Sequence, residues 1–304
     1  MARPGFFKVN FPSKSRRARS FERRDGQVVC RKSYDATEFV RLAGIDFLEG
    51  ETLISSGTVL TPAALSLAAA SNHGALSVHK RPRVGILANG DELRPPGTAL
   101  TEGQVVNANP AGLSALVRAW GGEPVDLGIA GDSVDAILRR IQDTAIDLFL
   151  PVGGASVGDH DHMRAAFAVA GFEPVFEKIA VKPGKPTWLS RRNGQRVLGL
   201  PGNPASALVC AHLFLKPLLL DTFSLPTLAA ELAEPLPAND AREQFLRAAV
   251  QVSGPGRLIV KAASDQDSSL LKPFLSANGL IRRMSNAGAA PAGAVLPVVM
   301  IGAL

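Results

Sequence analysis

The stretch IDLFLPVGG, residues 146–154, is an apolar run that ends in two adjacent glycines. From Leu148 to Val152 it carries no polar side chain, which is typical of a strand buried on both faces at the centre of a parallel sheet. The residues that follow, ASVGDHDHM (155–163), supply a hydroxyl, carboxylates and histidines. A buried strand that runs into a glycine-rich polar loop indicates the ligand-binding edge of an α/β sheet.

The flanking sequence alternates strand-like and helix-like segments. Strands are predicted at RVGILANG (83–90), EPVDLGIA (123–130), EPVFEKIAVKPGKPTWLS (173–190) and QRVLGLPG (195–202). Helices are predicted at 109–122, 132–143 with Asp132 as N-cap, 160–169, and 203–220 as one long apolar helix. This alternation predicts an α/β fold, a mostly parallel sheet with helices on both faces.

The ends of the chain differ from this block. Residues 34–81 mix short strands with one helix, for which Thr61 is the predicted N-cap and Pro62 the first residue. After Leu225, prolines and short apolar runs indicate a small β-rich module. We therefore expect four segments: a basic leader (1–33), a partial α+β region (34–81), the α/β domain (82–224) and a C-terminal β domain (225–304).

The net charge of +6 belongs to the N-terminus, where ten of the 33 Lys and Arg residues precede Ser33 against two acidic residues. We expect a disordered, solvated leader there and no nucleic-acid partner. No stretch reaches the roughly 18 apolar residues of a membrane span, and no apolar segment typical of a secretory signal follows the basic residues. The two cysteines form no C-x-x-C pair, which favours a cytoplasmic protein.

Five polar loops follow predicted strands and would meet at one sheet edge. They are 89–93, the loop at Asp132, 153–161, 182–186 and 199–204. Glycines permit close backbone approach, and Lys178, Lys182 and Lys185 supply charges for phosphate; Lys178 and Lys182, four residues apart, would share a strand face. Carboxylates beside a phosphate would repel it unless a divalent cation intervenes, so Glu92, Asp132, Asp159 and Asp161 predict Mg²⁺.

Two other functions fit parts of the central loop. Gly154 to Gly158 match G-x-S-x-G, the nucleophile motif of serine hydrolases, with Ser156 as nucleophile. The histidines downstream are His160, His162 and His212, the last inside an apolar helix and more typical of a packed core residue than of a base. His160 and His162 are two residues apart, which is not the spacing of a helical zinc pair.

Four motifs together resemble the molybdopterin molybdenumtransferase family (MoeA, also the E domain of gephyrin). They are GDEL (90–93), GGASVGDHD (153–161), KPGKP (182–186) and GLPGNPASAL (199–208). REQFLRA (242–248) and SSLLKPFLSANGL (268–280) are similar to the family's C-terminal β-barrel domain. The resemblance starts near Tyr34 and reaches the C-terminus.

The resemblance implies an enzyme that inserts molybdate into adenylylated molybdopterin and releases AMP, using Mg²⁺, as a homodimer with its site between subunits. A molybdoenzyme or another cofactor-pathway protein is an implied partner. Glu92, Asp132 and Asp161 would be catalytic, and these three with Asp159 would hold metal. The implied cofactor-binding residues are Gly153, Gly154, Ser156, Val157, Gly158, Lys178, Lys182, Gly184, Lys185, Pro201, Gly202, Asn203, Pro204 and Ser206.

The chain departs from the family before the GDEL loop. The family carries a D-x-S-A-M-D-G-Y-A motif and an inserted domain there, and neither occurs in this sequence. Asn89 also stands where the family usually has Thr. The chain is therefore read as an N-terminally shortened member, and a non-catalytic molybdopterin-binding or carrier protein stays an alternative, with a serine hydrolase as a remote one.

Overall fold

The computed structural model divides the chain into two compact units, Met1–His79 and Lys80–Leu304. The residues it describes are 21–30, 43–142, 144–153, 161–222 and 224–304. None of the helices in these ranges is long and apolar enough to cross a membrane. The four segment boundaries expected from the sequence stay predictions.

A short hairpin lies within the segment expected to be a disordered leader. Strands β1 (Phe21–Arg24) and β2 (Gln27–Cys30) pair antiparallel. Between them Asp25 and Gly26 have φ of 52° and 78°. Positive φ at both residues is the turn that Asp-Gly favours between paired strands. The hairpin is a local element within residues 21–30, for which the Asp-Gly pair is the sequence signal, and the leader expected over 1–33 stays a prediction.

Helix α1 (Pro62–Ala70) begins and ends as the sequence predicts. The Thr61 hydroxyl accepts a hydrogen bond from the Ala64 N–H at 3.2 Å, and Pro62 occupies the first turn. Just beyond the helix, Asn72 has a φ of 67°, the left-handed conformation common after a helix C-terminus. The predicted N-cap is confirmed.

The second unit contains the predicted α/β sheet. Its strands are β3 (Arg83–Asn89), β6 (Glu123–Ala130), β7 (Leu148–Val152), β8 (Glu173–Phe176), β10 (Trp188–Arg192) and β11 (Gln195–Gly199). They lie in the order β6-β3-β7-β11-β10-β8. Only β10 is antiparallel to its neighbours, so the sheet is mostly parallel, as predicted. Two short strands that lie between β3 and β6 in the chain, β4 (Leu93–Arg94) and β5 (Val105–Val106), pair with each other.

Helices cover both faces of this sheet, which confirms the predicted architecture. They are α2 (Asn109–Ala119), α3 (Val134–Ile141), α4 (His162–Val169), α5 (Pro204–Cys210) and α6 (Lys216–Leu220). Successive side chains of β3 point to opposite faces of the sheet. Ile86 belongs to the core that includes Leu113 of α2, and Leu87 belongs to the core that includes Phe167 of α4. All five residues of β7 are buried.

The long apolar helix predicted over 203–220 is interrupted. A π-helical turn, Ala211–Leu215, separates α5 from α6. Pro217 explains the break, because it has no N–H to donate and its ring excludes the carbonyl four residues earlier from a regular helix. The single-helix prediction is therefore wrong in its middle.

The segment 173–190 is also more divided than predicted. Strand β9 (Val181–Lys182) leaves the α/β sheet and pairs parallel with Glu243 and Gln244 of the C-terminal domain. Residues 177–180 belong to no strand. The expectation that Lys178 and Lys182 share one strand face is therefore wrong, because the extended segment that it requires is absent there.

The C-terminal strands close into the predicted barrel. They are β12 (Leu228–Leu232), β13 (Glu243–Gly254), β14 (Arg257–Ala262), β15 (Gly279–Arg283) and β16 (Val295–Met300). The order β14-β12-β16-β15-β13 is closed by pairing of β13 with β14. Inward-facing residues such as Val260, Ile281 and Val298 form its core. A 3₁₀ helix, Lys272–Leu275, lies between β14 and β15.

One glycine of the sheet makes room for an aromatic ring. Gly199 ends β11 opposite Trp188 of β10, and a Cβ atom at Gly199 would overlap the indole nitrogen. We expect Gly199→Ala to lower the free energy of unfolding by about 2 kcal/mol, because the buried indole must shift. Urea denaturation measures this.

The matched control is Gly254→Ala, a strand glycine with open space around its Cα. It should change stability by less than about 1 kcal/mol. Equal effects of the two substitutions would contradict the packing explanation.

Candidate functional site

The carboxyl ends of four adjacent parallel strands meet at one edge of the α/β sheet. The Gly90 N–H donates to the Ala130 carbonyl, and the Gly153 N–H to the Leu200 carbonyl, each at 3.3 Å. A bridge between Val152 and Leu200 extends the β7–β11 pairing to the start of both loops. The loop before β10 reaches the same edge, because β10 runs antiparallel to β11. The loops converge as the strand–helix alternation predicts.

A cleft of about 620 Å³ opens over this edge. Its walls come from the loops after β3, β7 and β11, from β5 and the start of α2, and from Ser269 of the barrel domain. We call it the first cleft. The predicted site residues that line it are Glu92, Gly153, Pro201, Gly202, Asn203 and Pro204.

Two glycines in the first cleft lie against each other. Gly153 has a φ of 94°, and a Cβ added there would lie 3.1 Å from the Asn89 carbonyl oxygen. A Cβ on Gly202 would lie 3.3 Å from the Cα of Gly153. Larger residues would separate the two loops, so glycine at both positions keeps their backbones close together.

Asparagine side chains hold the loops of the first cleft in place. Asn109, at the start of α2, donates from Nδ2 to the Gly202 carbonyl at 2.8 Å. Asn89 donates from Nδ2 to the Gly131 carbonyl at 3.1 Å. The sequence did not predict either role. Asn109 was predicted only as the start of a helix, and the one sequence signal for Asn89 was its position at the end of a strand.

The acidic residues predicted for this edge are in three different settings. The Glu92 carboxylate lies over Gly90, whose added Cβ would be 2.5 Å from Oε2. Glu92 lines the first cleft and makes no ion pair with any residue that the structure describes. It is therefore available to a ligand or cation.

Asp132 forms a reciprocal pair with Asp91. The Asp91 N–H donates to Asp132 Oδ2 at 3.2 Å, and the Asp132 N–H donates to Asp91 Oδ1 at 3.3 Å. The N-cap of α3 is Ser133, whose hydroxyl accepts from the Ala136 N–H, so the prediction of Asp132 as N-cap is off by one residue. Asp132 instead ties the ends of β3 and β6 together.

Asp161 is the N-cap of α4. Its Oδ1 accepts from the Arg164 N–H at 3.0 Å, and its Oδ2 lies 2.8 Å from the Arg164 Nε. Burial raises the pKa of Asp161 above its ordinary value, against the opposing effects of the Arg164 N–H and guanidinium. The helix begins at His162, two residues later than predicted.

A second cleft, of about 390 Å³, lies between the α/β domain and the barrel. It shares Pro186, Pro201 and Asn203 with the first cleft. Residues 182–186, which we call the lysine loop, form one wall, and Arg242, Gln244, Gln266 and Ser268 of the barrel domain form another. Lys182, Lys185 and Arg242 together make this cleft basic.

One carboxylate partly balances these cations. Asp240 Oδ2 lies 3.0 Å from Arg242 Nη2 and 3.5 Å from Lys182 Nζ. Hydrogen bonds from Arg242 lower the pKa of Asp240 to about 2, with a smaller effect of Lys182. Asp240 is therefore ionised at neutral pH and competes with any anionic ligand for these two cations.

A barrel loop meets the loop after β11 beside both clefts. Asn203 donates from Nδ2 to the Ser268 hydroxyl at 2.8 Å, and the Ala205 N–H donates to the Ser268 carbonyl at 3.0 Å. Asn203 thus uses its side chain across the domain boundary and makes no side-chain cap of α5.

Arg247 holds that barrel loop from inside. It is 2% exposed. Its guanidinium donates to the carbonyls of Asp267 at 2.9 Å and Leu270 at 2.6 Å, and also to the Asp265 carbonyl. Sequence reasoning missed this residue, because a single arginine in a strand carries no signal of the loop that it will bind.

The structure brings together ten of the predicted site residues and separates others. The two clefts are lined by Glu92, Gly153, Lys182, Gly184, Lys185, Pro201, Gly202, Asn203, Pro204 and Ser206. Neither cleft is lined by Lys178, Asp132 or Asp161. The predictions for Gly154, Ser156, Val157, Gly158 and Asp159 lie outside the described residues.

Neither a zinc site nor a serine hydrolase site is supported by the part of the chain that the structure describes. No group of three His, Cys, Asp or Glu side chains in that part is placed to hold a metal ion by itself. His212 is buried with its ring edge against Trp120, and its Nδ1 has no hydrogen-bond partner there. It is a packed core histidine, as predicted, and no described carboxylate is hydrogen-bonded to its Nδ1 to orient it as a base for a serine hydrolase.

Comparison with known proteins identifies the family. Residues 85–221 match a family model described as "Probable molybdopterin binding domain", and residues 229–301 match "MoeA C-terminal region (domain IV)". The chain belongs to the MoeA family. The matches cover the α/β sheet with both clefts and the barrel, and the proposed resemblance is confirmed.

Sequence similarity to individual MoeA proteins supports the same family. The chain is 35% identical over 267 residues to a Mycobacterium tuberculosis protein named molybdopterin molybdenumtransferase 2, covering 84% of this chain and 65% of that protein. It is 29% identical to the Bacillus subtilis molybdopterin molybdenumtransferase, covering 83% and 60%. The chain thus spans less than two thirds of the length of these curated relatives.

A solved structure shares the fold. The molybdopterin biosynthesis MoeA protein from Pyrococcus horikosii superposes with a TM-score of 0.74 at 26% identity, covering 94% of this chain and 71% of that chain.

The buried guanidinium gives a prediction for the barrel loop. We expect Arg247→Met to lower the free energy of unfolding by about 2–3 kcal/mol, because buried carbonyls lose their donor. Arg247→Lys should recover part of this, since one ammonium cannot reach all three carbonyls. Urea denaturation measures both.

The control is Arg257→Met, which removes an exposed barrel arginine paired with Glu231. It should change stability by less than about 1 kcal/mol. An Arg247→Met protein as stable as the control would contradict the role of Arg247.

Proposed function

We propose that this chain is a molybdenum-cofactor biosynthesis enzyme that transfers molybdate to adenylylated molybdopterin and releases AMP. The names of its relatives and its own clefts support this function. We further propose that it works in the cytoplasm as a homodimer and hands its product to a molybdoenzyme or to another protein of the cofactor pathway.

The observation that carries the proposal is the pair of joined clefts, one lined by backbone and amides and the other by cations. In the first cleft the close packing of Gly153 and Gly202 places two loop backbones side by side in the wall, and a flat, polar ring system is proposed to bind against them. The loop residues Gly154, Ser156, Val157 and Gly158 are proposed to complete this binding surface. Pro201 lines both clefts, while Pro204 lines the first and Ser206 lines the second.

The second cleft is proposed to bind oxyanions, either the phosphate of the adenylate or molybdate. Lys182, Lys185 and Arg242 present positive charge there, and Asp240 faces two of them. An entering oxyanion would take over the contacts of Lys182 and Arg242 with Asp240. Lys178 is proposed to add charge at the rim of the site.

The carboxylates are proposed to serve Mg²⁺ and the hydrolytic step. Mg²⁺ is commonly held by one or two carboxylates, water and substrate phosphates, so Glu92 in the first cleft fits as a protein ligand without a preformed metal cage. When bound, Mg²⁺ would neutralise charge on the phosphate oxygens. Asp132, Asp159 and Asp161 remain proposed contributors to metal binding, and Asp132 and Asp161 to catalysis with Glu92.

The direct test is a reaction with adenylylated molybdopterin, molybdate and Mg²⁺. We expect AMP to accumulate together with molybdenum-loaded cofactor, and EDTA to stop both. Binding of the adenylate without AMP release would contradict the transferase and support the alternative of a molybdopterin-binding carrier. Absence of binding would contradict both functions.

A second test concerns the basic cleft. Lys182→Met and Lys185→Met should each raise the Kd for molybdate by about tenfold at low salt, because a charged hydrogen-bond donor is lost. Asp240→Asn should lower that Kd, since it removes a competing negative charge. Isothermal titration at two ionic strengths measures these changes, which should shrink at high salt.

Lys261→Met is the control, because Lys261 is an exposed lysine on the barrel paired with Glu234. It should bind molybdate as the unaltered chain does. Equal losses in all three lysine variants would show a nonspecific charge effect and contradict the proposed oxyanion site.

A further inference from the structure

A buried polar pair lies directly beneath the lysine loop. Thr187 follows the loop, and Cys210 is the last residue of α5; both are 0% exposed. Neither side chain lines either cleft. Buried polar groups are retained at a cost unless they are hydrogen-bonded, so the contacts of this pair indicate what it does.

Thr187 closes the turn that carries Lys185. Its hydroxyl donates to the Gly184 carbonyl at 2.8 Å, and its N–H donates to the same carbonyl at 2.9 Å. Lys185 and Pro186 are the two residues between these partners. The direction in which Lys185 leaves the loop therefore depends on a turn closed by both polar groups of Thr187.

Cys210 joins this turn to helix α5. Its sulfur lies 3.3 Å from the Thr187 hydroxyl oxygen and 3.9 Å from the Pro183 carbonyl. The Thr187 hydroxyl donates both to the Gly184 carbonyl and to the sulfur, and the thiol donates to the Pro183 carbonyl. These hydrogen bonds connect the end of α5 to two consecutive residues of the lysine loop.

The loop backbone also packs on the sulfur. Gly184 is buried with a φ of 130°, and a Cβ atom there would overlap Cys210 Sγ. The N-cap of the same helix is Asn203, which lines both clefts. Cys210 thus fixes the spacing between the lysine loop and a helix whose N-terminal residues, Asn203 and Ser206, also line the second cleft.

The thiol itself is not a reactive group. Burial raises the pKa of Cys210 to about 12, so the thiolate that nucleophilic or metal chemistry requires is absent at neutral pH. Its contribution is that of a neutral donor of suitable volume.

We propose that Thr187 and Cys210 are positioning residues for oxyanion binding: their hydrogen-bonded contact holds Gly184 and so aims Lys182 and Lys185 into the second cleft. This inference rests on the proposed function, because it assumes that the two lysines bind the oxyanion. It predicts that removal of the Thr187 hydroxyl, which does not line the cleft, weakens the binding of an oxyanion there.

The experiment measures the Kd of sodium molybdate, with inorganic phosphate as a second probe, by isothermal titration of the full chain. Thr187→Val should raise the Kd by about fivefold, the factor expected for one lost hydrogen bond. Thr187→Ser should restore binding to within about twofold, because it keeps the hydroxyl. Ser190→Ala, which removes another buried hydroxyl from β10, is the matched control and should not change the Kd.

Cys210 gives an independent pair of variants if Thr187→Val does not fold. Cys210→Ala should weaken binding as Thr187→Val does, and Cys210→Ser, which keeps a donor, should weaken it less. Thermal unfolding of each variant distinguishes a loss of affinity caused by unfolding from one caused by misplaced lysine side chains.

A double-mutant cycle distinguishes positioning from a general effect on stability. In a background that carries both Lys182→Met and Lys185→Met, Thr187→Val should cause little further loss of molybdate affinity, while its effect on thermal unfolding should remain. Additive losses of affinity would contradict action through the lysine loop.

Two failures are distinguishable. If the lysine variants lose molybdate but Thr187→Val and Cys210→Ala bind it normally, the positioning proposal is wrong and the oxyanion site stands. If the lysine variants bind molybdate normally, the oxyanion site is wrong and the positioning proposal falls with it.

Discussion

The central constraint is the pairing of β7 with a strand on each side. β7 is buried throughout and is parallel to both β3 and β11. The segments that follow these three strands therefore leave the sheet side by side and in the same direction. The bond from the Gly153 N–H to the Leu200 carbonyl carries this pairing into the loops. Both clefts depend on it, because Gly153 and Gly202 can pack together only when their strands end at the same level.

The sequence allows this part to be predicted. An apolar run between polar loops identifies β7, the strand–helix alternation identifies its neighbours, and parallel strands place their loops on one edge. Glu92, Gly153 and Gly202 follow from that geometry alone. The sequence also predicts that Lys182 and Lys185 lie at this edge, although it does not predict the sheet to which Lys182 belongs.

What escaped prediction depends on contacts distant in sequence. Arg247 binds a loop about 20 residues further along, Asn109 reaches Gly202, and Asn203 reaches Ser268. Local patterns describe helix and strand periods but carry no information on which loop an amide or guanidinium will meet. The same limit explains why the pairing of β9 with β13 was not predicted. Strand β9 has only two residues, and two residues show no measurable period.

The pairing of β9 with β13 has a consequence for the order in which the protein is made. The lysine loop is synthesised among the strands of the α/β sheet, but its partner strand follows about 60 residues later. The α/β sheet can be complete on the ribosome while the lysine loop still lacks one of its neighbours. The basic cleft is therefore assembled last, and a chain whose barrel has not folded would have a finished sheet edge without the barrel wall of the second cleft.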